Sequence, residues 1–128
     1  MKSDSFYHAL YRNLMENSID AVYLLSEEGR VLNANTTACA MTGYSLDELI
    51  KLTIDDIDIN YPKDAFIKFW KDKPKTSTVL FETIHKRKNG QLIPVEVNGI
   101  FFEQENEKYL YGVARDLTGR RQRNHSFS

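Results

Sequence analysis

The sequence lacks the features that define several large classes of protein. Cys39 is the only cysteine among 128 residues, so the chain has no internal disulfide, no Cys-x-x-Cys site and no requirement for an oxidising compartment. The longest apolar runs are only a few residues, far below the roughly 20 that a bilayer crossing needs. Lys and Arg number 17 against 18 Asp and Glu, which removes the broad positive field of a nonspecific nucleic-acid-binding protein. We therefore expect a cytoplasmic protein with no membrane span and no nucleic-acid partner.

The residues that are present suit one folded domain. Apolar residues make up 41% of the chain and aromatic residues 12%, and a chain of this length can bury roughly two thirds of its unfolded surface. Near the N-terminus, Phe6, Leu10 and Leu14 recur every four residues, which predicts an amphipathic helix over Ser5–Glu16. Its apolar stripe must pack either on the rest of the domain or on a second copy of the chain.

Apolar and β-branched residues predict five strands in two groups. Gly29 can adopt the positive φ of a tight reversal between the first two strands, and Asn89-Gly90 is the strongest short hairpin signal between the next two. A longer polar turn, Glu103–Lys108, precedes the last strand. The predicted strands are Ala21–Ser26, Arg30–Ala34, Thr76–Lys88, Leu92–Phe102 and Tyr109–Arg115.

Three short helices are predicted between the two groups of strands. An Asn, a Ser-x-x-Glu box and a Pro stand at the three helix starts, where each is favoured, and a Gly follows the first helix. Strands joined by tight turns run antiparallel, so this order indicates an α+β fold with an antiparallel sheet. The residues are Asn35, Gly43, Ser45 with Glu48, and Pro62, and the third helix covers Lys63–Lys71.

Several blocks of sequence occur in a characteristic order and spacing: Asn17–Val22, Gly29–Leu32, Met41–Ile50, Phe81-Glu82, Arg87–Val97 and Arg115–Thr118. Together they resemble a PAS domain, the sensory box of bacterial signalling proteins, over about Leu14–Arg121. Leu117 stands where the family's terminal Asp-Ile-Thr motif more commonly has isoleucine. The resemblance implies a PAS fold: a five-stranded antiparallel sheet of order 2-1-5-4-3, with short helices over one face and an N-terminal amphipathic helix.

The resemblance also divides the chain and implies a role. Residues 1–16 would be an N-terminal cap or dimerisation helix, residues 17–118 the sensor domain, and residues 119–128 the start of a signalling linker. Such a module senses a small ligand or redox cue and relays it to a C-terminal output domain, of diguanylate cyclase (GGDEF) or histidine kinase type. The alternative is a scaffold that binds no ligand and joins two copies through the N-terminal helix and the sheet.

Two sets of residues are candidates for this role. Aromatic side chains of the third helix could wall an apolar ligand pocket against the sheet, or simply fill the core. The pocket candidates are Phe66, Phe69, Trp70, Val95, Val97, Asn98 and Tyr111. At the end of the last strand, Asp116 is expected to accept hydrogen bonds from a cation, Arg30, or from the backbone, and Thr118 to cap the exit helix; the alternative is a solvated strand end.

The cofactor stays unknown, although the sequence disfavours several. Cys39 precedes Gly43-Tyr44, whereas light-sensing relatives carry their flavin-reactive cysteine after it, so a packing role is expected. Haem-binding relatives have a histidine on the third helix, and this chain has none there. The three histidines lack metal-site spacing, and Asp55, Asp56 and Asp58 are read as a solvated face. A small apolar or aromatic metabolite is left open as a ligand. The usual hydrolase and phosphate-loop motifs are missing, so no catalytic residue is assigned and a noncatalytic domain is expected.

Overall fold

The sheet and its helices follow the predicted order in a computed structural model that describes residues 1–60, 71 and 77–119. The helices are α1 (Asp4–Glu16), α2 (Thr36–Thr42) and α3 (Leu46–Leu49), and Ile54–Asp56 form a 3₁₀ turn. The strands are β1 (Ala21–Ser26), β2 (Val31–Ala34), β3 (Ser77–Lys86), β4 (Leu92–Gln104) and β5 (Glu107–Asp116). The predicted third helix lies almost wholly outside the described residues, as do Phe66, Phe69 and Trp70.

The five strands form one antiparallel sheet in the order β2-β1-β5-β4-β3. β5, the last strand in sequence, therefore lies in the middle and joins the two hairpins. This arrangement confirms the predicted fold class and strand order. None of the helices that the structure describes is long and apolar enough to cross a lipid bilayer.

Local capping explains why the helices begin and end where they do. The Asn35 side chain accepts a hydrogen bond from Ala38 N, and Gly43 ends α2 with φ of 81°. Ser45 and Glu48 form the predicted capping box at α3. Lys88 Nζ, from the β3–β4 turn, lies 2.6 Å from Glu48 Oε2. The pKa of the Glu48 carboxyl is lowered to about 2. The largest cause is this hydrogen bond from Lys88, and the second is the hydrogen bond that Ser45 N donates.

The turns match the prediction at two of three hairpins. Gly29 and Gly90 have φ of 84° and 90°, as the predicted reversals require. The β4–β5 turn is tighter than the predicted Glu103–Lys108 loop, because only Glu105 and Asn106 lie outside the ladder. Both have positive φ, 51° and 65°, which is the conformation of a two-residue type I′ hairpin. Without a glycine at either position, the sequence signal for this tight turn is weak.

One face of the sheet carries the main core. Tyr23, Leu25, Val95, Phe101 and Leu110 point to this inner face, where they pack with apolar residues of the helical segment, among them Ala38, Leu49 and Ile57. Neighbouring residues on each strand point to the outer face because side chains alternate along a strand. Leu80 and Ile100 are exposed there. In the described part of the segment between β2 and β3, these helical residues therefore cover the inner side of the sheet.

Candidate ligand pocket

A cavity of about 40 Å³ lies on the inner face, between the sheet and the segment that contains the 3₁₀ turn. Its described lining is apolar except for Tyr23, Asp58 and His85. A cavity needs about 10–15 Å³ for each water-sized probe position, so this one has room for a few heavy atoms. The other lining residues are Leu25, Ile54, Ile57, Val79, Phe81, Val97, Gly99, Phe101, Leu110, Gly112 and Ala114.

Two glycines that face each other across β4 and β5 leave space in the wall of this cavity. Gly99 pairs with Gly112 in the ladder, and both line the cavity. A Cβ atom on Gly112 would meet nothing within 4 Å, whereas one on Gly99 would lie 3.1 Å from Leu110 Cδ1 and 3.1 Å from Val79 Cγ2. Gly99 therefore permits close packing, and Gly112 keeps part of the cavity open.

Two buried polar atoms in the cavity wall lack hydrogen-bond partners among the described residues. They are the Tyr23 hydroxyl and His85 Nδ1, and the two side chains are only 6% and 3% exposed. The rings meet edge to face with centroids 6.5 Å apart. Burial, and then the nearby Cys39 thiol, raise the pKa of Tyr23, so the phenol keeps its proton. A buried polar atom without a hydrogen bond lowers the stability of the folded state by about 1–3 kcal/mol. Two such atoms in one cavity therefore call for an explanation.

A buried carboxylate lies beside the other nitrogen of His85. Asp58 Oδ1 accepts hydrogen bonds from Thr83 Oγ1 at 2.7 Å and from Asn60 N at 2.9 Å. Asp58 Oδ2 lies 3.7 Å from His85 Nε2. Backbone bonds from Ile59 N to Ile84 O and from Lys86 N to Ile57 O hold the two segments side by side. A carboxylate only accepts, so it favours the imidazole tautomer protonated at Nε2, and Nδ1 is then left as an acceptor.

The structure corrects the predicted pocket in several places. Val97 lines the cavity, and Val95 is buried in the adjoining core. Asn98 and Tyr111 lie on the outer face, because the next residue along each strand, Gly99 or Gly112, lines the inner-face cavity and successive residues of a strand face opposite sides. Both therefore leave the pocket set.

Asp58 is a second correction. It is buried and hydrogen-bonded rather than part of a solvated acidic face. Asp55 and Asp56 are exposed. Among the described residues, no group of three His, Cys, Asp or Glu side chains is arranged to hold a metal ion.

The expected relay residues are only partly brought together. Asp116 Oδ1 accepts a hydrogen bond from Thr118 N at 2.8 Å, so the carboxylate supports the backbone where the chain leaves β5. Arg30 lies at the other end of the sheet, because Ser26 pairs with Tyr109 while Ala21 pairs with Ala114. Tyr109 and Asp116 are roughly 20 Å apart along an extended strand, so Arg30 is not the cation for Asp116.

Two other expectations concern Thr118 and Cys39. Thr118 Oγ1 is buried and finds no hydrogen-bond partner within the described part of the chain, so its capping role stays a prediction. Near this end of β5 an ion pair joins Arg115 to Asp20 at 3.3 Å.

Cys39 is half-buried and packs against the core. Burial is the largest cause that raises the pKa of its thiol, and the negative charge of Glu16 is the second.

Sequence reasoning missed the polar end of the cavity. Tyr23 lies between Ala21 and Leu25 on the inward side of an apolar strand, and His85 follows Phe81 and Thr83 at spacings of two. Period-two alternation alone places these side chains on the inner face. The signal was therefore present for Tyr23 and His85, but the partnership of His85 with Asp58 depends on how distant segments meet.

The family model for the PAS domain matches residues 19–119. The chain belongs to the PAS domain family. PAS domains are in general sensory rather than catalytic. The crystal structure of the PAS domain of an HTR-like protein from Haloarcula marismortui superposes with a TM-score of 0.79 at 24% identity, over 88% of this chain and 93% of that one. A PAS domain from a two-component sensor histidine kinase gives a TM-score of 0.76 at 21% identity, covering 89% and 99%.

A curated relative has a more specific name. The methyl sulfide methyltransferase-associated sensor of Methanosarcina acetivorans is 26% identical over 113 residues, which is 87% of this chain. This PAS domain spans only 11% of that sensor. The relative therefore shows a PAS domain within a much longer sensor protein.

Proposed function

We propose that this PAS domain is a sensor module that binds a small molecule in the inner-face cavity and relays its presence to an output domain. The observation that carries this proposal is the cavity itself: an apolar space that Gly112 keeps open, with two buried polar atoms in its wall. A core without a ligand gains from filling space and from pairing buried polar atoms. As far as residues 1–60, 71 and 77–119 show, this cavity does neither, and a ligand would do both.

The wider setting of the proposal comes from the relatives. Similarity to a named sensor and to a histidine kinase PAS domain supports a signalling protein, with a histidine kinase as one output type; a diguanylate cyclase is the other that the sequence resemblance implies. We assign the isolated domain no catalysis and place it in the cytoplasm, in keeping with its lone cysteine and near-zero net charge. Asp116, through its bond to Thr118 N, is the proposed point of exit for the signal.

The test blocks the cavity with one side chain. Gly112→Leu is expected to place its side chain in the cavity beside Gly112, because a Cβ at this position would meet no atom within 4 Å. Val113→Leu is the control, because it introduces the same leucine side chain on the next residue, which points to the outer face. Both variants and the wild type are titrated with a metabolite library, and amide shifts are recorded at Tyr23, Gly99 and Gly112 by ¹H–¹⁵N NMR.

We expect at least one class of compound to shift these amides in the wild type and in Val113→Leu, with binding weakened about 100-fold or more in Gly112→Leu, equivalent to about 2.7 kcal/mol. If no compound in the library shifts them in the wild type, or if Gly112→Leu responds as the wild type does, the ligand-binding proposal is wrong.

A second candidate function is that of a dimerisation scaffold, and one observation favours it. Phe6, Leu10 and Leu14 on α1 are 43%, 42% and 67% exposed, so this stripe is not buried against its own domain. Only Met15 of α1 is buried. Exposed apolar residues that share one helix face are typical of a contact surface.

Light scattering tests the role of this stripe. The wild type is expected to have twice the mass of one chain, and the triple variant Phe6→Ser/Leu10→Ser/Leu14→Ser the mass of one chain. His8→Ser/Arg12→Ser on the same helix is the control and should keep the wild-type mass. A wild type with the mass of a single chain, or a triple variant that still dimerises, would remove the stripe from the interface.

A further inference from the structure

The polar end of the cavity restricts the ligand's chemistry, and this inference rests on the proposed function. Tyr23 and His85 are both more than nine-tenths buried and line the cavity, yet each has a polar atom that lacks a partner among the described residues. The rest of the described lining is apolar apart from Asp58, whose Oδ1 already accepts from Thr83 and Asn60. A ligand would therefore meet two polar atoms, one on β1 and one on β3.

The two atoms differ in what they offer. In the neutral ring, with Nε2 facing Asp58 Oδ2 at 3.7 Å, Nδ1 is an acceptor without a partner among the described residues, and it requires an N–H or O–H from the ligand. The Tyr23 hydroxyl can donate to a ligand acceptor. The ligand that satisfies both has a donor and an acceptor on an otherwise apolar body.

The charge of the ligand narrows its chemical class further. An ionised ligand would lose its hydration in a wall that is mostly hydrocarbon, and burial of an unpaired charge is far more costly than burial of a hydrogen-bonded neutral group. An anion would also be repelled by the buried Asp58 carboxylate next to His85. The cavity of about 40 Å³ favours a compact molecule over an extended one.

We propose that this PAS domain recognises a small uncharged molecule of a few heavy atoms that donates a hydrogen bond to His85 Nδ1 and accepts one from the Tyr23 hydroxyl. The pair selects against purely apolar molecules, because these would leave both protein atoms unsatisfied, and against anions. Tyr23 and His85 are then the residues that determine specificity, and the glycine pair provides the space.

The experiment compares three probes of similar size. Pyrazole has a ring N–H donor and a ring nitrogen acceptor, furan has a similar ring without a donor, and acetate is an anion. Binding to the whole chain is followed by amide shifts at Gly99 and Gly112, and the ¹⁵N signal of His85 Nδ1 is recorded with labelled histidine. Pyrazole is expected to bind about tenfold tighter than furan, the value of one net hydrogen bond, to move the Nδ1 signal, and to outcompete acetate.

Tyr23→Phe separates recognition from folding, because it removes only the hydroxyl. We expect pyrazole binding to weaken about fivefold or more, and binding of pyrrole, a ring of similar size that has an N–H donor but no acceptor, to stay unchanged. The melting temperature of the free protein should rise by about 4 °C because an unsatisfied buried group is gone. A hydroxyl that serves only the fold would give a lower melting temperature and equal effects on both probes.

The outcomes separate this inference from the proposed function. Equal binding of pyrazole and furan, tighter binding of acetate, or a silent Nδ1 signal on pyrazole binding would overturn the assignment of ligand class. Each of those results would still leave a cavity that binds ligands. If no probe binds, the class is overturned, and the metabolite titration with Gly112→Leu then decides separately whether the cavity binds any ligand.

Discussion

Asn35→Ala is expected to lower the free energy of unfolding by about 4 kcal/mol, among the largest single-residue effects in this domain. Asn35 is fully buried. Its Oδ1 accepts from Val22 N and from Ala38 N, both at 2.9 Å, and its Nδ2 donates to Met15 O and Asp20 O at 2.8 and 3.1 Å. Alanine would leave Val22 N and Ala38 N without this acceptor, and the Met15 and Asp20 carbonyls would each lose one of their hydrogen-bond donors, where α1, β1 and α2 meet.

Chemical denaturation monitored by circular dichroism measures this loss. Asn33→Ala is the matched control, because Asn33 is half-buried and the hydrogen bond of its side chain among the described residues is the one it accepts from the adjacent Ala34 N; it should cost less than about 1 kcal/mol. Asn35→Asp keeps the acceptor but loses both N–H donors. The free energy of unfolding is therefore expected to fall either by less than in Asn35→Ala or by more. Equal, small effects of Asn35→Ala and Asn33→Ala would refute the view that Asn35 joins these elements.

The second large effect is expected at Asp58. Asp58→Ala should lower the free energy of unfolding by about 3 kcal/mol, because it leaves the Thr83 hydroxyl and Asn60 N without this acceptor and removes the carboxylate that lies 3.7 Å from His85 Nε2. The change should also reduce binding in the cavity, since His85 would lose the carboxylate that orients its ring. Denaturation and the pyrazole titration measure the two losses on the same protein.

Asp56→Ala is the control for this change. Asp56 lies two residues earlier and is exposed, and its carboxylate accepts from Thr53 N, so a loss below about 1 kcal/mol is expected. Asp58→Asn retains an acceptor for Thr83 and Asn60 and should recover part of the stability. If Asp58→Ala is no more harmful than Asp56→Ala, the buried network does not stabilise the domain.

The sequence was sufficient for those parts of the fold that local physics controls. Gly29, Gly90 and the Ser45–Glu48 box each specify a turn or a cap within four residues of chain, and alternation then gives the strands. The family resemblance supplied the strand order, which a local pattern does not contain. The β4–β5 turn was predicted too long because Glu105 and Asn106 adopt positive φ without glycine.

The site was harder to predict, because it depends on which residues of distant strands meet. A shift of one residue along a strand moves a side chain to the opposite face of the sheet. The predicted pocket contains both Asn98 and Val97, although adjacent residues of a strand face opposite sides. Arg30 was assigned to Asp116 without the register that puts them at opposite ends of the sheet. Asp58 was predicted to be solvated because nothing near it in sequence indicates that Thr83 and His85 will cover it.

The central claim is that the inner-face cavity holds a ligand at its polar end. The most direct measurement is a crystal structure at a resolution that distinguishes water from an organic ligand, with the chain purified from its native host. Our account predicts continuous non-water density with polar atoms within hydrogen-bond distance of the Tyr23 hydroxyl and His85 Nδ1. A cavity that contains only water, or one closed by neighbouring side chains that satisfy both atoms, would contradict it.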